Sequence, residues 1–160
     1  MQRVLFVCTG NIFRSLTAEY ALRDLLGDPN EIRIASAGTQ DFPHVVNPFV
    51  REYLRARGLD VSSHRHRTLT AEILQDHDLV IAMSTDHRAI LAGNFSRRDV
   101  PLFTEACGLD AEPLLDVHEV VKDHESNPAA VEAHVRLIID RIIELTPRFA
   151  DRLMRGHFQY

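Results

Sequence analysis

The first fifteen residues constrain the fold more than any other stretch. Val4-Leu5-Phe6-Val7 is a β-branched and aromatic run that ends at Cys8-Thr9-Gly10. Four apolar residues are too few for a membrane span or the core of a secretory leader. A run of that length reads as a strand buried on both faces. From Ser15 the period changes. Ala18, Leu22, Leu25 and Leu26 recur at helical spacing, with Glu19, Arg23 and Asp24 between them, until Gly27-Asp28-Pro29-Asn30 stops the pattern. A buried strand that runs straight into an amphipathic helix is the opening of a parallel α/β fold.

The same alternation continues. Residues 32–37 read as a second strand, 38–48 as a loop, and 48–57 as a helix stopped by Gly58. Residues 70–76 read as helical, 78–83 as a third buried strand, and 86–92 as another helix. Val100-Pro101-Leu102-Phe103 suits a short fourth strand at a sheet edge, where proline is tolerated. Pro128 opens a long helix with Val131, Val135, Ile138, Ile139 and Ile142 as its apolar stripe. The last ten residues carry no clear signal. The pattern predicts an α/β chain forming one three-layer domain over residues 1–160. A four-stranded parallel sheet would carry helices on both faces, with a phosphate-binding loop after the first strand.

Composition narrows the function. A formal charge of -5 and a pI near 6.0 argue against a chain built to coat nucleic acid or an anionic membrane. No aromatic residues interleave Arg65, Arg67, Arg97 and Arg98 in a nucleic-acid-binding pattern. Acidic residues punctuate the last helix, which reads as a core-covering element rather than a membrane anchor. Cys8 and Cys107 match no metal spacing, and the nine histidines form no His-Glu-x-x-His motif, so no metal or cofactor is expected. With no leader at Met1-Gln2-Arg3, the two thiols suit a reducing cytoplasm.

The chemistry is concentrated in Cys8-Thr9-Gly10-Asn11-Ile12-Phe13-Arg14-Ser15. A short loop leading into a helix N-terminus aims several backbone N–H groups at one point, which suits a phosphate dianion. A thiol at the start of that loop lies in the same positive field, which favours its thiolate. Arg14 can clasp two phosphoryl oxygens through its planar fork. Those oxygens carry the charge in phosphoryl transfer. Ser15 can donate a hydrogen bond to the sulfur. Gly10 and Asn11 tolerate backbone geometry that other residues resist.

This segment resembles the signature loop of the low-molecular-weight protein tyrosine phosphatases, which often reads Cys-x-Gly-Asn-x-x-Arg-Ser. Ser36-Ala37-Gly38-Thr39, Ser63-His64-Arg65 with Leu69-Thr70, and residues 78–83 resemble further family stretches in the family's order. The resemblance implies a cytoplasmic phosphatase that acts on phosphotyrosine in proteins through a cysteinyl-phosphate on Cys8. It would be a monomer or weak dimer. Thr9, Gly10, Asn11, Ile12, Phe13 and Ser15 would cradle the substrate, Asn11, Ser36 and His64 would form a cluster holding the loop open, and Phe42 would stack on the substrate ring. Ile12 and Phe13 suit an aromatic ring better than the guanidinium of phosphoarginine. Two departures stand out. Phe13 occupies a position where many members have a second, protective cysteine. The family's Asp-Pro pair, which supplies the general acid, is missing. Asp123 lies at about the family's distance from the last helix and is the expected acid; Asp116 is the alternative. His124 or His118 would then line the cleft where the family often has an aromatic. Two other readings are an arsenate reductase on the same scaffold, for which Cys107 is a poor resolving thiol, and a phosphate-binding module without catalysis.

Overall fold

β1 (Gln2–Cys8) is the central strand. It pairs in parallel with β2 (Ile32–Gly38) on one side and β3 (Leu79–Ala82) on the other, giving the order β2-β1-β3. The structure, a computed structural model, describes residues 2–27, 31–41 and 45–158. β1 is apolar without alternation because both its faces are covered. Val4, Phe6 and Cys8 join one core cluster with Leu16 and Leu22 of α1 (Arg14–Leu26), Leu54 of α2 (Pro48–Arg55), and Ile139, Ile142 and Phe149 of α7 (Pro128–Met154). Leu5 and Val7 face a second cluster with Leu74 of α3 (Ala71–Gln75), Leu91 of α4 (Thr85–Phe95), Val100 and Leu102.

The expected fourth strand is not formed. Residues 100–103 make a single parallel bridge, Ala82 to Leu102, in which Ala82 N–H donates to the Pro101 carbonyl at 3.0 Å. Proline has no N–H with which to continue a ladder. The next N–H, that of Leu102, is taken by Glu105 Oε2 at 2.8 Å, and Phe103 already begins α5 (Phe103–Ala106). Among the described residues the sheet therefore has three strands rather than four.

α7 begins where Pro128 predicts, capped by Asn127, whose Oδ1 accepts from Ala130 N–H at 3.1 Å. Its buried stripe runs well past Ile142, through Leu145, Phe149 and Leu153. The chain end is also used: Phe158 packs on Phe149 with ring centroids 5.6 Å apart. Among the described residues no helix is long and apolar enough to cross a membrane. All three strands run the same way, so Cys8, Gly38 and Ala82 end at one edge of the sheet. That edge is where open α/β sheets bind ligands.

Candidate active site

Cys8 closes β1, Arg14 opens α1, and the five residues between them form a tight loop. Asn11 has φ of +54°, a left-handed conformation that asparagine tolerates. Cys8 is 2 % exposed. Its Sγ lies 2.9 Å from Ser15 Oγ and accepts from Asn11 N–H at 3.2 Å. Ser15 Oγ accepts from Asn11 Nδ2 at 3.0 Å, so the serine proton is free to be given to the sulfur.

Asn11 is the hub of the loop. Its Nδ2 also donates to Ser36 Oγ at 2.7 Å, and Ser36 donates to the carboxylate of Glu19. Burial pushes the Glu19 carboxyl up, opposed by the Ser36 hydrogen bond and by the ion pair with Arg23 at 2.8 Å. Asn11 Oδ1 accepts from Arg67 N–H at 3.1 Å. The Asn11 carbonyl accepts from His64 Nε2 and the Gly10 carbonyl from His66 Nδ1, each at 2.9 Å. These bonds keep two acceptor oxygens from competing with an anion for the loop's amides. Burial lowers the His64 pKa, with the Asn11 carbonyl opposing.

β2 reaches the loop through Gly38. A Cβ there would lie 2.7 Å from the Thr9 carbonyl oxygen and 3.1 Å from Asn11 N, so only glycine lets the strand end this close. The register is held by Thr39 N–H to the Cys8 carbonyl at 2.9 Å and Gly38 N–H to the Arg67 carbonyl at 2.8 Å.

Arg14 is 1 % exposed and donates three hydrogen bonds to the described residues. Nη1 donates to the Leu114 carbonyl at 3.0 Å, and Nη2 to Thr9 Oγ1 at 3.3 Å and to Asp116 Oδ2 at 2.5 Å. Its Nε is buried with no hydrogen-bond partner among the described residues. A phosphoryl oxygen would satisfy that donor, and an uncompensated buried guanidinium N–H is otherwise costly.

The segment carrying Asp116 is fixed from three sides. Leu114 N–H donates to the Met83 carbonyl at 2.8 Å, the Leu114 carbonyl receives Arg14, and the Leu115 carbonyl accepts from His134 Nε2 of α7 at 2.9 Å. Asp116 Oδ1 accepts from Val117 N–H at 2.7 Å and caps α6 (Val117–Val120). His118 is exposed, with Nδ1 3.9 Å from Asp116 Oδ2.

Asp123, expected from its distance to the last helix as the acid, lies exposed in the turn before α7. There its Oδ2 accepts from Asn127 Nδ2 at 3.0 Å. The chain between Leu114 and α7 includes the short helix α6, which lengthens the connection beyond what counting back from the stripe allows for. His124 is exposed in the same turn. Phe13 is turned into the core beneath Arg14, whose guanidinium carbon lies 5.4 Å from its ring centroid. It is not at the mouth of the loop, and the half-buried Ile12 is the apolar residue left beside it. Phe42 lies outside the described residues.

Several groups at the site have weak sequence signals. His66 sits two residues from His64, which separates the pair on an extended chain, yet both reach the loop's carbonyls. Glu19 reads as the polar face of α1 but is buried against Ser36. His87 follows Ser84 at capping-box spacing after β3, and its Nε2 lies 2.9 Å from Thr9 Oγ1. Among the described residues no three His, Cys, Asp or Glu side chains gather in a metal-binding group.

The strand–loop–helix brings a buried thiol and a buried guanidinium together in one short loop. The chain belongs to the low molecular weight phosphotyrosine protein phosphatase family, whose sequence model matches residues 3–154. Over 83 residues it is 36% identical to arsenate reductase 2 of Staphylococcus haemolyticus, a stretch covering 52% of this chain and 60% of that protein. Over 85 residues it is 35% identical to a putative low molecular weight protein-tyrosine-phosphatase of Klebsiella pneumoniae, covering 52% of this chain and 57% of that protein. The chain thus spans less than two thirds of the length of these curated relatives. Among solved structures, a YwlE arginine phosphatase with a phosphorylated active-site serine superposes with a TM-score of 0.81 at 25% identity, covering 96% of this chain and 97% of that one.

Proposed function

We propose that the protein is a phosphatase that hydrolyses phosphotyrosine in proteins, with Cys8 as nucleophile, Arg14 as phosphate ligand and Asp116, in place of Asp123, as general acid. The observation that carries the reading is Arg14, a buried guanidinium beside the loop that starts at Cys8, with its Nε unpartnered among the described residues and Asp116 on its Nη2. Phosphoryl oxygens compete with Asp116 for that guanidinium, and their arrival frees the carboxyl to face the leaving group.

In the first step Sγ attacks phosphorus, the bond from phosphorus to the phenolic oxygen breaks, and that oxygen takes the proton of Asp116. In the second step water attacks phosphorus and gives a proton back to Asp116. The bond from sulfur to phosphorus then breaks, and Ser15 and the Asn11 N–H receive the thiolate. Loop amides and Arg14 hold the equatorial charge throughout.

Relatives named arsenate reductases make that chemistry a second reading. It needs a thiol that can resolve the adduct, and Cys107 is poorly suited. It is 1 % exposed, donates to the Leu145 carbonyl at 3.6 Å, and burial pushes its thiol up to about 12. The likeness to an arginine phosphatase raises phosphoarginine as a substrate. The apolar Ile12 of the loop favours an aromatic ring, and competition between phosphotyrosine and phosphoarginine peptides measures the preference.

The test is turnover of p-nitrophenyl phosphate with a chelator present, between about pH 4.5 and 8, by wild type and Cys8→Ser. Turnover that vanishes in Cys8→Ser is expected. An inactive wild type that still binds phosphopeptide would turn the reading toward a binding module. Arsenate-dependent oxidation of reduced thioredoxin would turn it toward the reductase.

A further inference from the structure

His87, on the first turn of α4, is 1 % exposed, and its partners fix its tautomer. The backbone N–H of Ser84 donates to Nδ1 at 3.1 Å, and Ser84 Oγ lies 3.0 Å from the same nitrogen. An amide N–H can only donate, so Nδ1 carries a lone pair and the ring proton sits on Nε2. That proton is donated to Thr9 Oγ1 at 2.9 Å, and the same oxygen accepts from Arg14 Nη2 at 3.3 Å. Burial and the Arg14 charge, with Asp116 opposing, push the His87 pKa down to about 3. The ring is therefore neutral wherever the enzyme would work. Only a neutral donor can share one hydroxyl with a guanidinium without repelling it.

The arrangement matters because Arg14 Nη2 has two acceptors. One of them, Asp116, is the one that phosphoryl oxygens would displace. The fixed points that remain on the guanidinium are the Leu114 carbonyl on Nη1 and Thr9 on Nη2. We propose that His87 is a positioning residue that aims the guanidinium of Arg14 at the phosphoryl group through the hydroxyl of Thr9. This rests on the reading of Arg14 as the phosphate ligand.

The probe is inorganic phosphate as a competitive inhibitor of p-nitrophenyl phosphate turnover. Loss of one such hydrogen bond predicts that His87→Leu raises the phosphate inhibition constant and lowers kcat/KM by about tenfold each. His87→Gln, which can place an amide N–H near the position of Nε2, is expected to stay within about threefold of wild type. Thr9→Val should match His87→Leu, and the double variant should be no worse than either. Nitrogen-15 spectra of the wild type should show His87 protonated at Nε2 alone, with a signal that shifts on adding phosphate.

An unchanged phosphate inhibition constant in His87→Leu, additive effects in the double variant, or a ring protonated at Nδ1 would each overturn the proposal. If His87→Leu does not fold, Thr9→Val and the wild-type spectra decide it. Arg14→Lys and Cys8→Ser separate the two levels. If both keep turnover, the phosphatase reading itself fails. If both lose turnover while His87→Leu keeps its turnover and its phosphate inhibition constant, only the positioning role fails.

Discussion

Ser15 has one proton to give, and the bond it accepts from Asn11 commits that proton to Cys8. In the proposed mechanism, removing it takes a donor from the sulfur that must depart as a leaving group. Ser15→Ala is expected to lower kcat by about 10- to 100-fold, from the usual worth of a hydrogen bond to a charged group; phosphate burst kinetics would show whether breakdown of the intermediate slows most. Asp116 and Asp123 are distinguished in the same way. With Asp116 against Arg14 and Asp123 exposed beside Asn127, Asp116→Asn should lower kcat by about 100- to 1000-fold on phenyl phosphate and less on p-nitrophenyl phosphate, whose better leaving group needs less protonation. Asp123→Asn should leave both rates within about twofold. The reverse ranking in steady-state assays would return the acid role to Asp123. Cys8, Arg14 and Ser15 are legible as a set because the signature is local, eight residues across one strand–helix junction. Asp116 lies about a hundred residues away in the chain, and its place depends on Leu114 and Leu115 being tied to Arg14, Met83 and His134.

At the scale of elements, the site is a junction between the end of β2 and the loop after β1. Gly38 is where they touch. Gly38→Ala puts a methyl 2.7 Å from a backbone carbonyl that has no flexible end to move, so the loop must shift. A displacement of a few tenths of an ångström in a preorganised site is expected to cost kcat about tenfold or more, with a lowered Tm, both read on the purified variant. A change in Tm alone would show that the loop absorbs the methyl without losing its geometry. α7 gives a control remote from the chemistry. Asn127→Ala removes its N-cap and should cost about 1 kcal/mol in denaturant unfolding with kcat unchanged. β1, β2, β3, α1 and the start of α7 are readable because their apolar spacing and flanking glycines and prolines agree. Residues 100–103 mislead because strand propensity says nothing about where the Leu102 N–H goes, and Glu105 takes it.

For the molecule as a whole, the imidazoles of His87, His64 and His77 contribute to how stability depends on pH. The His87 pKa falls from 6.5 to about 3 on folding, so below pH 6.5 the unfolded chain takes up a proton that the folded one refuses. The contribution of His87 is full above that pH and is lost at about 1.4 kcal/mol per pH unit as the pH falls toward 3. His64 and His77, also lowered by burial, act with the same sign. Glu19, raised by burial, acts oppositely: its contribution is full below its ordinary 4.5 and is lost as the pH rises through its raised value. Urea unfolding at about pH 5 and 7 should therefore show a stability drop on acidification that is shallower in His87→Gln. Equal slopes in the two proteins would mean that His87 is protonated in the folded state.

By itself the chain determines the order of its elements, the burial of β1, and the placing of a thiol, a guanidinium and a hydroxyl on one strand–loop–helix turn. All of these depend on residues close together in sequence, where period, propensity and turn chemistry act directly. The tertiary structure alone decided what meets that turn from afar. Asp116 rather than Asp123 reaches Arg14, Phe13 goes into the core, His66 and His87 come to the loop, and the fourth strand is cut to one bridge. Each of these depends on which hydrogen-bond partner wins among groups brought together only by folding. Local spacing carries no information about that competition.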